Sequence, residues 1–417
     1  MRYFNIIILV LMLTIPLAAQ TIHVGVAVRD ITPDPLLPVS GGVGVPKPAH
    51  KKQGNLTIRA IVFKQKDIKV AIVGIDNLGW PAVLGDESRK LIPEIAPENI
   101  LIGATHTHSA PDVYGFPDEN GHSNADPEYL SYCIKQIADA VHEALKNVQP
   151  AYLKIAVGEA RGKIAFNYYA PELYDPRCGI IQAIDSKNQK VIGTLVNYAI
   201  HPEVIGSKQG ILSPDLCGPL YDQLESKTGG VAIFMNGAQG GMVTADNRRP
   251  DNQEARTWEE CQRIGRLLAN EALRILDTAE LQQNPVLDIH TRKTIFPVTS
   301  PLMKQLMEIT SIGAQNEEGF SVTSNIVLLD IGSARILTIP GEALPNIGYY
   351  LKRKMGTTHP FLFGLTNDAY GYILTKEDFD SFDRYEYISK TSLGEQTGEI
   401  LIEACEKLMN DHPRKSQ

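Results

Sequence analysis

The chain has 417 residues, of which 43% are hydrophobic and 21% charged, with a net charge of −8 and a pI near 5.7. This is the composition of a globular protein with enough residues for a large core. The acidic balance and the absence of a basic stripe argue against nucleic acid or an anionic membrane surface as the main partner. Five scattered cysteines without a CxxC pair argue against a disulfide scaffold.

The first twenty residues, MRYFNIIILVLMLTIPLAAQ, predict a signal peptide. Arg2 supplies the positive end, residues 5–17 the apolar stretch, and Ala18 and Ala19 the small residues before cleavage. The apolar run is short for a transmembrane helix, although an uncleaved anchor helix is the alternative. We therefore predict a signal peptide at 1–20 and a secreted or periplasmic mature chain, residues 21–417, without a transmembrane span.

Strands and helices are mixed along the mature chain. In chain order, the patterns predict strands in HVGVAVRDITP, LTIRAIVFKQ, KVAIVGID and ENILIGAT, then an amphipathic helix in PEYLSYCIKQIADAVHEALKNV. Strands AYLKIAVGEA, GIIQAID and VIGTLVNYAI, a helix in LCGPLYDQLES, a strand in GVAIFMN and a helix in ARTWEECQRIGRLLANEALRIL follow. The last third predicts strands VLDIHTRKTIFPV, NIVLLDIG, ARILTIP and FLFGLT, with helices at 344–354 and near the end. Without a repeat or a linker, this order predicts one large α/β domain of mixed β-sheets flanked by helices.

The segment GATHTHSA places His106 and His108 one residue apart at the end of an apolar run. Side chains two positions apart on a strand share a face, so both imidazoles are expected to point the same way. Imidazole is a common zinc ligand, and zinc takes three or four ligands. The pair indicates a metal site, and two histidines in a polar loop are the alternative. No HExxH motif is present, so the remaining ligands must come from distant parts of the chain.

Three later segments supply candidates. His201 ends the strand of NYAIHPEVIG, and Glu342 follows a strand and a Pro-Gly turn in ILTIPGEALPNIG. Tyr372 lies on a short predicted strand in NDAYGYILT, and Tyr385 follows in FDRYEY. Each of these residues could instead have a purely structural role. A single histidine at a strand end often binds no metal, and a carboxylate near a helix N-terminus is electrostatically favourable by itself.

Together, THTHSAP, NYAIHPE, FMNGAQGG, TIPGEALPNIG and GYILT followed by RYE resemble the neutral ceramidases, in the same order. The resemblance covers most of the mature chain and implies a divergent member consisting of the catalytic domain alone. It implies one Zn²⁺ ion and assigns the metal ligands His106, His201, Glu342 and Tyr372, the catalytic residues His108 and Tyr385, and the candidate substrate-binding residues Asn167, Tyr168, Asn236 and Gly237.

The sequence departs from the family pattern on the substrate side. The serine of the family's Gly-Asp-Val-Ser motif corresponds to Val243 and its aspartate to Gly241, while Thr244 is one position off. The family arginine that follows Asn167 is replaced by Tyr168. A covalent acyl-enzyme is therefore not expected.

The resemblance implies an exported zinc-dependent hydrolase that cleaves the amide bond of a ceramide-like N-acyl lipid by attack of zinc-activated water. His108 and Tyr385 would stabilise the oxyanion or move the proton to the leaving amine, and Asp76 and Asp215 are candidates to orient the metal histidines. One alternative is a zinc hydrolase of a carbohydrate or peptide-like amide or ester, and another is a non-catalytic binding protein that retains the metal. An apolar groove beside the metal would favour a lipid, and a polar aromatic pocket a sugar.

Overall fold

The computed structural model describes residues 21–118, 120–251, 253–310 and 320–414. The predicted signal peptide, residues 1–20, lies outside the described residues. Among the helices of the described ranges, none is both long and apolar enough to cross a membrane.

Two long helices follow the predicted amphipathic patterns. Asp126 begins one of them by accepting a hydrogen bond from the backbone amide of Tyr129, and Thr257 caps the other in the same way at Glu260. The helix predicted at 344–354 begins one residue later. The α-helices are α1 Ala82–Lys90, α2 Pro127–Lys146, α3 Cys217–Thr228, α4 Trp258–Leu276, α5 Pro301–Ile309, α6 Pro345–Lys354, α7 Glu386–Lys390 and α8 Thr397–Asp411.

The predicted apolar runs form the long strands. Short strands of two or three residues pair loop segments with one another. The strands are β1 Ile22–Asp30, β2 Val39–Ser40, β3 Lys51–Lys52, β4 Thr57–Gln65, β5 Ile68–Ile75, β6 Ile100–Ala104, β7 Ala110–Pro111, β8 Gln149–Glu159, β9 Ala165–Asn167, β10 Arg177–Asp185, β11 Val191–Tyr198, β12 Ile211–Leu212, β13 Val231–Asn236, β14 Val243–Ala245, β15 Leu281–Gln282, β16 Leu287–Pro297, β17 Ser321–Ile331, β18 Ala334–Thr338, β19 Glu342–Ala343, β20 His359–Phe363 and β21 Tyr372–Ile373.

Two mixed sheets form the centre of the molecule. The larger has nine strands in the order β13-β11-β10-β8-β1-β4-β5-β6, with β15 paired to β8. Its β11–β13 and β5–β6 pairs are parallel and the others antiparallel. The smaller has the order β16-β17-β18-β20, with β18 and β20 parallel. These sheets and their helices confirm the predicted α/β class of mixed sheets with flanking helices in one large domain.

The apolar residues fall into layers. One cluster, with Phe63, Ile155, Val327 and Phe361, lies between the two sheets. Helices α3 and α4 cover one half of the large sheet, and α2 covers the half around β1 and β4. Helices α6 and α8 cover the outer face of the small sheet. Four layers result, with a helix layer on either side of two packed sheets.

The large sheet curls so that its two edge strands approach each other. A Cβ atom at Gly74 in β5 would lie 2.8 Å from the carbonyl oxygen of Phe234 in β13, and one at Gly103 in β6 would lie 2.5 Å from Met235. This close approach brings together the chain segments that follow β6, β11 and β13.

Candidate metal centre

His106 lies just after β6, in a backbone turn. Its φ is 72°, a left-handed conformation that a non-glycine residue adopts at an energetic cost. Its amide donates to the carbonyl of Asn77 over 2.9 Å. The strand ends at Ala104, so the imidazoles of His106 and His108 are brought together by this turn and not by strand alternation as predicted.

His201 follows β11 and is held by the segment after β13. Both its backbone amide and its Nδ1 contact the carbonyl oxygen of Val243, at 3.0 and 2.7 Å. The side chain of Val243 is fully buried in the apolar cluster beneath α3 and α4. The position that corresponds to the family serine therefore supports His201 through its backbone and presents no hydroxyl.

Glu342 forms a two-residue parallel bridge with Tyr372 through β19 and β21. Its amide donates to Gly371 over 2.8 Å. The glycine-rich turn after β13 lies directly against it, because a Cβ at Gly240 would fall 2.1 Å from the Glu342 carbonyl oxygen. Close backbone packing against the strand that carries Glu342 thus requires a glycine at position 240 of the turn GAQGG.

The three imidazoles and the carboxylate converge on one point. The Nε2 atoms of His106 and His108 are 3.2 Å apart, and Oε2 of Glu342 lies 3.1 Å from Nε2 of His201 and 3.4 Å from Nε2 of His106. Metal bonds of 2.0–2.1 Å in a tetrahedron give donor separations of about 3.3 Å. His106, His108 and His201 thus form a buried group that could hold a metal ion, and the Glu342 carboxylate adjoins it.

The second ring nitrogen distinguishes two of these histidines from the third. Nδ1 of His106 contacts the carbonyl of Leu78 at 2.5 Å, and Nδ1 of His201 that of Val243. Such bonds fix the tautomer that leaves Nε2 free for a metal. Nδ1 of His108 faces the Glu203 carboxylate at 3.6 Å, and the His108 ring also has a hydrogen bond with the backbone of Gly41. Asp76 and Asp215 do not contact these rings: Asp76 bonds Thr57 and Tyr221, and Asp215 the amides of Ile205 and Leu216.

The electrostatics of the group follow from burial and mutual proximity. Burial and the neighbouring His106 and His201 hold the pKa of His108 well below its usual range. Burial alone would raise the pKa of Glu342, but the imidazoles of His106 and His201 hold it well below its usual value. Burial also opposes protonation of His201, and the Glu342 hydrogen bond outweighs it and raises the His201 pKa. The lone pairs of the imidazole nitrogens and the negative charge of the Glu342 carboxylate are directed to the same point. This environment favours a cation.

Asn236 ties the two histidine segments together. It is fully buried, and its Nδ2 donates to the carbonyls of Thr105 and Ile200 at 3.0 and 2.7 Å. Its Oδ1 accepts from the amides of Ile200 and Gly237. Its side-chain amide is therefore saturated by these four hydrogen bonds, which join the two histidine segments, and its predicted contact with substrate stays a prediction.

The other predicted substrate-binding residues are placed differently. Gly237 is buried against Ala199, and Asn167 is buried with its amide bonded to Leu173, Tyr169 and Ala170. These contacts direct both residues toward the protein, and their predicted role in substrate binding stays a prediction. Tyr168 is 61% exposed at the surface.

The two predicted tyrosines, Tyr372 and Tyr385, have different surroundings. The hydroxyl of Tyr372 donates to the sulfur of Met242 at 3.7 Å, and its ring lines the same cavity as Glu342. Tyr385 ends the 3₁₀ turn Asp383–Tyr385, and its ring packs between those of Tyr169 and Phe382. The structure brings Tyr372 to the cavity wall but does not bring Tyr385 to it.

An open cavity of about 80 Å³ adjoins the histidines and Glu342. Its other walls are largely apolar, and they include Leu78, Tyr114, Phe116, Met303 and Leu306. The sequence reasoning missed these residues, although the aromatic pair follows the THTH segment closely and Met303 and Leu306 lie on one face of α5. It also missed Tyr387 and Glu203. The backbone carbonyl oxygens that contact the His106 and His201 rings were missed as well, because a pattern of side chains carries no signal for backbone groups.

Comparison with known proteins identifies the fold. The crystal structure of neutral ceramidase from Pseudomonas aeruginosa matches with a TM-score of 0.74 and 17% identity, over 95% of this chain and 76% of that one. A structure of ceramidase complexed with C2 matches with a TM-score of 0.73 and 16% identity, over 95% and 77%. No protein-family model and no curated protein sequence matches the chain. The two structures share this chain's fold at low sequence identity.

Proposed function

We propose that this protein, which has the fold of the neutral ceramidases, is a zinc-dependent hydrolase that cleaves the amide bond of a ceramide-like N-acyl lipid. The observation that carries the proposal is the convergence of three imidazoles and a carboxylate at the end of an apolar cavity. Apolar walls favour an acyl chain over a sugar, because a sugar needs several hydrogen-bonding groups around it.

The residues divide into holders of the metal and a group that handles protons. His106 and His201, each fixed through Nδ1 by a backbone carbonyl, would hold zinc together with Glu342 and Tyr372. When bound, zinc polarises a carbonyl and lowers the pKa of water. His108, whose pKa burial lowers and which faces Glu203, would accept the proton of the attacking water and pass it to the leaving nitrogen.

The route uses no covalent acyl-enzyme. Val243 has no hydroxyl and is buried, and the backbone of the neighbouring Thr244 forms a bridge with that of His201. Direct attack by water is therefore the proposed course. The sequence of residues 1–20 supports export of the mature enzyme, residues 21–417, to the periplasm or the medium, and N-terminal sequencing of exported protein should begin near residue 21.

Hydrolysis by purified protein tests the proposal. A short-chain ceramide and N-acetylglucosamine are supplied with native protein, with chelator-treated protein and with zinc-restored protein. We expect release of the amine from the ceramide, loss with the chelator and recovery with zinc. Hydrolysis of the sugar alone would support a carbohydrate enzyme, and a metal-loaded protein that hydrolyses neither would support a binding protein.

A further inference from the structure

The cavity beside the centre is small for a long acyl chain. Its volume of about 80 Å³ lies well below the volume of pockets that enclose a drug-sized ligand, which is about 300–1,000 Å³. A palmitoyl chain is comparable in size with such a ligand, whereas an acetyl or butyryl group is several times smaller. The cavity therefore has room only for the first carbon atoms of an acyl group.

The chemistry of the walls selects the acyl half of the amide. In a ceramide-like lipid the carbons next to the carbonyl are apolar, whereas the carbons next to the nitrogen carry hydroxyl groups. Beyond His106, His108 and Glu342, the cavity is lined largely by apolar side chains such as Leu78. A hydroxyl placed against these side chains would lose its hydrogen bonds to water, which is costly.

Two residues of α5 form one wall of the cavity. Met303 and Leu306 are three positions apart, so they lie on the same face of the helix, and both line the cavity. Only 3% of Met303 and 5% of Leu306 is exposed. Both side chains therefore pack inside the molecule, where their volume limits the space beside the centre.

The start of α5 is tied to the segment that borders Tyr372. The Ser300 hydroxyl accepts from the amide of Met303 at 3.3 Å, and the Ser300 amide donates to the carbonyl of Leu393 at 3.0 Å. Two residues before Leu393, the carbonyl of Thr391 accepts from the amide of Tyr372 at 3.3 Å. These bonds hold Met303 in place relative to the strand that carries Tyr372.

The loop that carries Tyr114 and Phe116 forms a second wall. The Asp112 carboxylate accepts from the amides of both residues, at 3.0 and 2.8 Å, and their rings stack with centroids 5.1 Å apart. A Cβ at Gly79 would lie 1.7 Å from the Tyr114 hydroxyl oxygen, so this ring occupies the space that the glycine leaves. Hydrogen bonds and close packing therefore fix both walls.

We propose that the cavity takes a short, unbranched acyl group, and that Met303 and Leu306 set the chain length at which binding stops improving. The inference rests on the proposed amide hydrolysis and specifies the acyl half of its substrate. Each methylene that enters an apolar cavity strengthens binding about fourfold. A chain longer than the cavity must extend into water or displace packed side chains, so its further methylenes add nothing.

A series of alkanohydroxamates, from acetohydroxamate to octanohydroxamate, tests the length limit by calorimetric titration of zinc-reconstituted protein. The hydroxamate group binds the metal, and the alkyl chain takes the place of the acyl chain. Met303→Ala enlarges the cavity and Leu306→Phe narrows it. Met307→Ala is the matched control, since Met307 is 4% exposed on the same helix but does not line the cavity in the described part of the chain. Zinc content and thermal denaturation show which variants are folded.

In the wild-type protein we expect affinity to rise about fourfold per methylene and to stop rising before octanohydroxamate. In Met303→Ala the rise should continue through about two more methylenes, so that octanohydroxamate binds about tenfold more tightly than it does to wild type. Acetohydroxamate affinity should not change. Met307→Ala should keep the wild-type profile, and Leu306→Phe should stop the rise at a shorter chain.

A wild-type affinity that keeps rising through octanohydroxamate, or a wild-type protein that binds none of the series, would overturn the inference. So would a wild-type profile in folded Met303→Ala, or an equal shift in Met307→Ala. If Met303→Ala does not fold, Leu306→Phe decides, because an unmoved limit in that variant also overturns the inference. If the limit appears as expected but no N-acyl amide is hydrolysed, the proposed function fails and the length limit stands.

Discussion

Single residues of the centre differ in how their second ring nitrogen is held. A backbone carbonyl contacts Nδ1 of His106 and of His201, whereas His108, which has a hydrogen bond with the Gly41 backbone, also faces the Glu203 carboxylate and remains partly accessible. Metal ligands need a fixed tautomer, and a group that moves protons needs access to substrate. The same residue type therefore has two predicted roles within one cluster.

The first prediction concerns metal content. The double variant His106→Ala, His201→Ala should reduce bound zinc from about one ion per chain to nearly none, because it leaves two of the four proposed ligands and zinc sites usually need at least three protein ligands. Elemental analysis of folded, zinc-reconstituted protein measures this. His290→Ala is the control, since His290 stacks on His412 away from the cluster and should leave zinc unchanged. Full zinc in the double variant would refute the metal site.

The second prediction concerns His108. His108→Ala should retain zinc and lower kcat by about 10²–10⁴-fold, the usual contribution of a positioned acid–base group. Parallel measurements of zinc content and single-turnover rate separate the two effects. Loss of zinc in this variant would instead make His108 a ligand, which its 3.2 Å separation from His106 also permits.

At the scale of elements, short strands and tight turns support the centre more directly than the long strands do. The bridge between β19 and β21 carries Glu342 and Tyr372, and α7 packs against it through Gly371. Gly371 has a φ of 84°, and a Cβ there would lie 2.3 Å from the Thr391 carbonyl oxygen. A left-handed glycine thus allows the helix backbone to approach the strand of the metal site.

The third prediction tests this contact. Gly371→Ala should cost more stability than Gly356→Ala, measured by chemical denaturation. Gly356 also has a positive φ, 60°, but nothing lies within 4 Å of a Cβ there. The Gly356→Ala variant should therefore lose only about 1–2 kcal/mol of stability, which is the cost of a left-handed conformation for a residue with a Cβ atom. Gly371→Ala adds a backbone clash to that cost, and equal losses in the two variants would show that the close approach is absent.

At the scale of the whole molecule, the centre joins parts of both sheets. His106 and His201 follow strands of the large sheet, and Glu342 follows β18 of the small sheet. Residues 201 and 342 are 141 positions apart in the chain. A metal bound to all three would link the sheets at one end of the domain.

The fourth prediction follows from this link. Zinc should stabilise the folded protein by about 2.7 kcal/mol when its free concentration is 100 times the dissociation constant. Thermal denaturation with increasing zinc should show a rising transition temperature, and a chelator should reverse the rise. Glu342→Gln keeps the shape of the side chain but removes its charge, so it should require more zinc for the same rise. A transition that is independent of zinc would contradict the link.

The amino-acid sequence by itself determined the elements and the residue types of the centre. Apolar runs and amphipathic periodicity are local properties, so strands such as β4, β10 and β11 and helices α2 and α4 were predictable near their observed bounds. The order of THTH, NYAIHPE and PGEALP likewise indicated imidazole and carboxylate ligands. The short helices α1, α5 and α7 and the small connecting strands other than β21 were not predicted, because their patterns are too brief to separate from loops.

Only the tertiary structure decided how these residues meet. The left-handed turn at His106, the curl that brings β13 against β5 and β6, and the buried Asn236 between two histidine segments arise from packing between distant strands. The same packing buried Asn167 and Gly237 and placed Tyr387 on the cavity wall in front of Tyr385. The type of a residue determines which chemistry its side chain can perform. The residues that pack around it from distant parts of the chain determine whether a substrate can reach it.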